Sequence, residues 1–270
     1  MVRNEQKELN ALILTDLEGI SGVATIDEVI PAGTPLYVEA CEKLIDDTNV
    51  AVSALFDAGA AKVYVLDGHG SGKNFPEGRL DGRATRINIA EMSEAIKDVS
   101  AVVLIGQHAM AGTRCAFLDH TQNSAKIHRY FYNGERIGEL SQVGFFSGYF
   151  GVPIVAVSGD LAACREAEAF IPGIHTAVVK TALKRNLADC LPLDEARARI
   201  YEATKRGFEN RSKFAPMEAK LPLTVEIEFN RADYADEALE NNPSLERLDE
   251  YLVRSVKEKV EGYLDVLILY

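Results

Sequence analysis

Two carboxylates two residues apart close the first apolar run of the chain, where Leu12-Ile13-Leu14-Thr15 leads into Asp16-Leu17-Glu18-Gly19. If the run is a buried strand, extended geometry puts Asp16 and Glu18 on one face, and carboxylates that close repel unless a cation or a proton separates them. A divalent metal would relieve the repulsion; a plain strand end with an Asp/Gly turn is the competing reading. Other ligand-type residues also follow apolar runs: residues 62–66 open into Asp67-Gly68-His69, and residues 101–105 into Gly106-Gln107-His108. One histidine at a strand end is ordinarily structural or superficial. Asp16, Glu18, His69 and His108, each just beyond an apolar run, would share one edge of a parallel sheet, where α/β proteins bind ligands. Glu139 opens a segment with Leu140, Val143, Phe146 and Phe150 on one helical face. It reads equally as a carboxylate complementing a helix dipole and as a further ligand. His120 sits in a Gly/Thr/Asn-rich loop over residues 109–125, and Asp160 stands where a helix N-cap belongs, which makes it structural.

The elements that would carry these side chains follow from periodicity. Residues 37–59 have helical spacing of Ala40, Leu44, Val52, Leu55 and Phe56 up to Gly59, and residues 92–99 form a second, short helix. Residues 126–132 and 135–137 flank Asn133-Gly134, the signature of a β-hairpin. Beyond Pro172 we expect strands at 175–179 and 223–229, helices near 194–207 and 232–240, and an alternating run at 251–256 leading into a C-terminal helix. The fold class is α/β: a central, mostly parallel sheet flanked by helices, with a smaller C-terminal α+β portion. Residues 10–180 would be the metal-binding catalytic domain and 181–270 the C-terminal portion.

The glycine-dense stretch Asp67-Gly68-His69-Gly70-Ser71-Gly72-Lys73 is neither a Walker A loop nor a dinucleotide fingerprint. The first would need Gly at 67 and Ser or Thr at 74, the second a third Gly at 73, and Pro76 prevents a phosphate-binding helix from starting. A net charge of −12 over 270 residues disfavours nucleic acid, and no apolar run approaches the ~18 residues of a membrane span. Four scattered cysteines, Cys41, Cys115, Cys164 and Cys190, form no C-x-x-C pair and read as buried thiols, and the polar, mixed-charge start resembles no signal peptide. A cytoplasmic location is the resulting expectation.

Taken together, Thr15-Asp16-Leu17-Glu18-Gly19-Ile20-Ser21-Gly22, Asp67-Gly68-His69, Gly106-Gln107-His108-Ala109, His120-Thr121, Gly138-Glu139-Leu140 and Val157-Ser158-Gly159-Asp160 resemble, in order, the D-aminopeptidase family of dinuclear zinc peptidases (peptidase family M55). The resemblance runs from Leu12 to about Lys180 and weakens beyond. It implies that Asp16, Glu18, His69, His108 and Glu139 are zinc ligands, with two ions per chain, and that His120 is the catalytic histidine. Thr15 and Gly70 stand where the family often has Ser, and Asp119 before His120 is a departure that could alter the acidity of that histidine or the substrate pocket. The implied activity is a zinc-dependent aminopeptidase acting on short peptides or amino acid amides, with a D-residue preference left open. A metal-bridged water would attack, a shared carboxylate would bridge the ions, for which we take Asp16, and His120 would act in acid-base or oxyanion chemistry. Mn2+ or Co2+ would suit the same donors. The family also implies a homo-oligomeric ring, such as a decamer, that limits entry to short peptides. Two rivals are a non-catalytic metal- or ligand-binding member and a haloacid-dehalogenase-type phosphatase, which fits poorly because Glu18 and Cys164 stand where that chemistry wants aspartates.

Overall fold

The computed structural model describes residues 9–218 and 220–270. In chain order the first part contains β1 (Ala11–Thr15), α1 (Pro35–Asp57), β2 (Val63–Asp67), β3 (Thr85–Ile87), α2 (Ile89–Asp98) and β4 (Ala101–Gln107). Next come β5 (Ile127–Tyr132), β6 (Glu135–Arg136), α3 (Glu139–Tyr149), β7 (Ile154–Asp160), α4 (Leu161–Phe170), β8 (His175–Lys184) and β9 (Leu187–Cys190). The rest is α5 (Leu193–Glu209), β10 (Leu223–Phe229), α6 (Ala232–Asn241), β11 (Glu246–Arg247) and β12 (Leu252–Lys257).

A seven-stranded sheet in the order β3-β2-β1-β4-β7-β8-β9 forms the centre, parallel except for β9, which runs antiparallel to β8. Its inner strands β1, β4 and β7 are buried along their whole length, so they read as continuous apolar runs. Alternate residues of β1 enter different cores. Ala11 and Ile13 pack with Leu44 and Val52 of α1 and Ile200 and Phe208 of α5, while Leu12 and Leu14 face Ile96 of α2, Val143 and Phe146 of α3, and a second sheet. That second sheet, β11-β12-β10-β5-β6, is antiparallel, and β10 shows the alternating burial of a sheet with one packed face. It joins the hairpin β5–β6, whose turn places Asn133 and Gly134 at φ 49° and 80°, to strands from residues 223–257.

After β1 the chain builds outward through β2 to β3, then returns to add β4 on the other side of β1. The crevice between the ends of β1 and β4 is thus a topological switch point. There the two backbones nearly touch: Asp16 N–H donates to Ile105 O at 2.8 Å and Gly19 N–H to Gly106 O at 2.7 Å. A Cβ on Gly19 would lie 2.2 Å from Gln107 O, and one on Gly106, which also has φ +80°, 2.2 Å from Asp16 O. Only glycine fits either place.

Two features depart from the sequence expectation. The C-terminal helix is absent; a single 3-10 turn at Tyr263–Val266 stands instead, followed by extended chain. Val260, Tyr263 and Leu267 do fall at helical spacing, but Val266 and Ile268 are buried beside them, and Tyr130 and Tyr132 pin the segment across the second sheet through Ile268 N–H and Val266 O. The short strands β3 and β9, at the two edges of the central sheet, lie where no strand was expected, because extensions of three and four residues carry almost no periodic signal.

Gly106→Ala is expected to destabilise the protein by about 2 kcal/mol or more, lowering Tm by roughly 5 °C, because left-handed strain and backbone overlap coincide. Gly59→Ala, at φ +88° with open space around it, should cost only about 1 kcal/mol. Thermal melts of the two variants measure the difference, and equal losses would reject the close-approach argument.

Candidate metal centre

Three strands and one helix deliver the acidic and imidazole side chains to the switch point. Asp16 and Glu18 leave the end of β1, His69 lies two residues past β2, His108 one past β4, and Glu139 is the first residue of α3. Asp16 is the hub. Its Oδ1 lies 3.1 Å from His69 Nδ1 and its Oδ2 3.2 Å from His108 Nε2, so the carboxylate spans two imidazoles. Glu18 Oε2 completes one side at 3.2 Å from His69 Nδ1, and Glu139 Oε1 the other at 3.4 Å from His108 Nε2. His120 stacks on His108 with ring centroids 3.8 Å apart, and its Nε2 is 3.8 Å from Glu139 Oε1 and 4.0 Å from Glu18 Oε1. All six side chains chosen from the sequence therefore converge. They fall into two groups whose ligand atoms lie within 4.8 Å of one another: Asp16, Glu18 and His69, and His108, His120 and Glu139.

Burial makes this convergence demanding. Asp16, Glu18 and His108 are only 7, 4 and 4% exposed. Burial alone would raise the Asp16 carboxyl, yet His108 and His69 hold it well below the usual carboxylate range. Glu139, likewise opposed by burial, is brought down to about 2 by His108. Burial would lower the histidines, but Glu18 and Asp16 push His69 up to about 11, and Glu139 and Asp16 push His108 well above its ordinary value. The cluster demands positive charge. Meanwhile Glu18 Oε2 and His108 Nε2, both aimed into the cluster, are buried with no hydrogen-bond partner. Orphaned lone pairs of this kind on a carboxylate and an imidazole suit a divalent cation bound by N and O donors. The other ring nitrogens are spoken for: His108 Nδ1 lies 3.0 Å from Ala109 O and His120 Nδ1 2.8 Å from Leu118 O, leaving Nε2 of each to face the cluster.

A supporting layer holds these groups in place, and much of it escaped the sequence reading. Asp67 accepts from Asn74 N–H and from its amide, and the same amide donates to His69 O, fixing the histidine loop. Tyr37 Oη donates to Asn74 Oδ1. Glu166 of α4 accepts from Met110 N–H at 2.8 Å, just beyond His108, and burial pushes its carboxyl up to about 7. Lys180 does not reach into the site. It is buried behind β1, where Nζ donates to Glu18 O and Val23 O at 2.6 Å each, and burial lowers its ammonium to about 8. Asp160 caps α4 through Ala163 N–H and also accepts from Phe117 N–H, which ties the His120 loop to β7. In the same loop Cys115, Leu118 and Gln122 adopt φ of 55°, 51° and 62°, and Gln122 N–H donates to Glu139 Oε1 at 2.7 Å. Asp119 does not contact His120 through its carboxylate, which binds Gly112 N–H and Arg185 Nε and clamps the loop from outside. Long-range partners of this type leave no local signal in sequence.

The cluster lies at the floor of a cleft of about 850 Å³ lined also by Ile30, Ile89, Leu264, Leu267 and Leu269. A carboxylate–imidazole cluster on the carboxyl edge of a parallel sheet, opening into a cleft, defines a metal-dependent hydrolase. The particular family follows from comparison: the chain belongs to the M55 peptidase family, described as D-aminopeptidase, whose profile matches residues 9–268. A D-aminopeptidase of Bacillus subtilis (strain 168) is 29% identical over 219 residues, 79% of each chain. The solved structure of a Zn-dependent D-aminopeptidase, DppA from Bacillus subtilis, described as a self-compartmentalizing protease, superposes with a TM-score of 0.89 at 25% identity over 96% of this chain and 95% of that one. The family assignment favours neither a phosphatase nor a non-catalytic binder.

Because metal must displace protons held by His69, pushed up to about 11, and by His108, divalent metal binding should release protons and tighten steadily as pH rises through neutrality and beyond pH ~8. Calorimetry in buffers of different ionisation enthalpy measures this, and pH-independent affinity without proton release would reject it.

Proposed function

We propose that the protein is a zinc-dependent aminopeptidase that removes N-terminal residues from short peptides or amino acid amides, D-residues among them as the names of its relatives indicate. The observation that carries this reading is the bidentate position of Asp16 between His69 and His108, with Glu18 and Glu139 on either flank. Asp16, Glu18 and His69 would hold one ion, and Asp16, His108 and Glu139 a second. Bound there, the metals would supply Lewis acidity for the scissile carbonyl and acidify water. His120 is the acid-base residue. With Nδ1–H donating to Leu118 O, its Nε2 is free to take a proton from the attacking water and return it to the leaving amine. The stacking on His108 and the bonded loop around Leu118 keep that nitrogen over the cluster. Its closeness to His108 and Glu139 also favours a second reading, in which His120 is itself a ligand.

We further propose a homo-oligomeric ring, supported by the self-compartmentalizing character of the DppA structure. A cytoplasmic location is supported by four free cysteines; among the described residues no helix is long and apolar enough to cross a membrane.

His120→Ala should retain both metals and lower turnover of D- and L-amino acid amides and dipeptides by about 10² to 10⁴. Metal analysis of the variant separates the readings, since loss of an ion makes His120 a ligand. His108→Ala, by contrast, should lose metal and activity together. Light scattering should find an assembly well above one chain's 29.6 kDa, and a monomer at working concentration would count against the ring.

A further inference from the structure

The cleft is acidic at its floor, where Asp16, Glu18 and Glu139 stand, but one residue of its wall carries a fixed positive charge. Among the described residues lining the cleft, Arg86 is the single arginine or lysine. Its neighbours Arg79 and Arg83 pair with Glu42, Asp46 and Asp81. Arg86 is held differently: Nη2 donates to Gly72 O at 2.9 Å, and the guanidinium lies 5.2 Å over the Phe75 ring. Glu91, which also lines the cleft, accepts from Asn88 N–H in the capping box of α2 and appears in no ion pair with Arg86 among the described residues. A guanidinium braced by a carbonyl and an aromatic face, exposed to the cleft, is an anion site whose rotamer is already ordered.

We propose that Arg86 binds the C-terminal carboxylate of the substrate, so that the enzyme selects short peptides with a free C-terminus; this deepens the aminopeptidase reading and rests on it. Register sets the span. Arg86 pairs with Val65, and Val65 with Ile13, which places Arg86 two strands from β1 and three residues below Asp16. Val65 and Ile13 pack toward α1, so Arg86 starts on that face, and its guanidinium turns past the sheet edge to Gly72 in the cleft wall. With strands ~4.8 Å apart and a rise of ~3.3 Å per residue, the two Cα atoms are ~14 Å apart, the scale of a peptide of a few residues at ~3.5 Å each. The N-terminal end of such a peptide lies over the acidic cluster while its carboxylate meets the guanidinium, so the charges at both ends of the zwitterion are matched. The basic residue sits on β3, an edge strand, where it does not disturb the buried metal ligands.

The test compares one dipeptide as the free acid and as its C-terminal amide, using the metal-loaded, assembled protein. The wild type should favour the free acid in kcat/KM by about ten- to a hundredfold, chiefly through KM, as for a charge-assisted hydrogen-bonded pair. In Arg86→Ala that ratio should collapse toward one, Arg86→Lys should restore part of it, and Arg86→Glu should invert it. The ratio is internal to each preparation, so partial misfolding does not alter it. A wild-type ratio near one, or a ratio unchanged in Arg86→Ala, overturns the proposal. Calorimetric binding of the two dipeptides provides a readout independent of turnover. Carboxylate-dependent binding lost in Arg86→Ala without hydrolysis in the wild type would uphold the anion site and sink the peptidase reading instead.

Discussion

Everything at the centre of this protein depends on gathering three carboxylates around one crevice, two of them buried. Asp16 and Glu18 stand where water is largely excluded and Glu139 at the crevice mouth, and the cost of bringing them together is offset only if positive charge enters the same space. Two imidazoles provide part of that charge, and the donors left without hydrogen bonds show that the cluster accommodates more. The same surplus of donors that would be a defect in an ordinary core is what makes a metal site.

The scaffold meets this requirement by topology. The reversal of strand order between β1 and β4 opens a crevice, and two glycines let the strand ends approach so closely that Asp16 and His108 face each other. Each remaining group is fixed by a bond from elsewhere in the chain: His69 through Asn74, the stretch after His108 through Glu166, the His120 loop through Asp160 and Arg185. Rigid placement matters because a displacement of about 1 Å at a reacting group is enough to cost much of the rate. The loop with Cys115, Leu118 and Gln122 holds three of the four non-glycine residues with positive φ among the described residues, and it carries the histidine assigned to proton transfer.

The C-terminal segment closes the cleft rather than adding another helix. Tyr263, Leu264, Leu267 and Leu269 form part of the wall above the acidic floor, so a stretch remote in sequence from every residue of the cluster shapes the cleft. The apolar part of the wall, the acidic floor and the single arginine are the features on which the proposed dipeptide site rests.

The sequence alone determined which acidic and imidazole residues gather at the site and which parallel strands carry them. Asp16, Glu18, His69 and His108 were legible because strand ends in α/β proteins share one edge, and an apolar run followed by a polar residue marks such an end locally. Asp160 as a helix cap and Asn133-Gly134 as a hairpin turn were legible for the same reason, since each acts within a few residues. Tertiary structure decided what depends on partners far away in the chain. It brought His120 onto His108, turned Asp119 toward Arg185, set Lys180 behind β1 on Glu18 O, and recruited residues 127–136 and 223–257 into one antiparallel sheet. It also replaced the expected terminal helix with an extended wall, because burial of Val266, Leu267 and Ile268 against the second sheet outweighs any local preference.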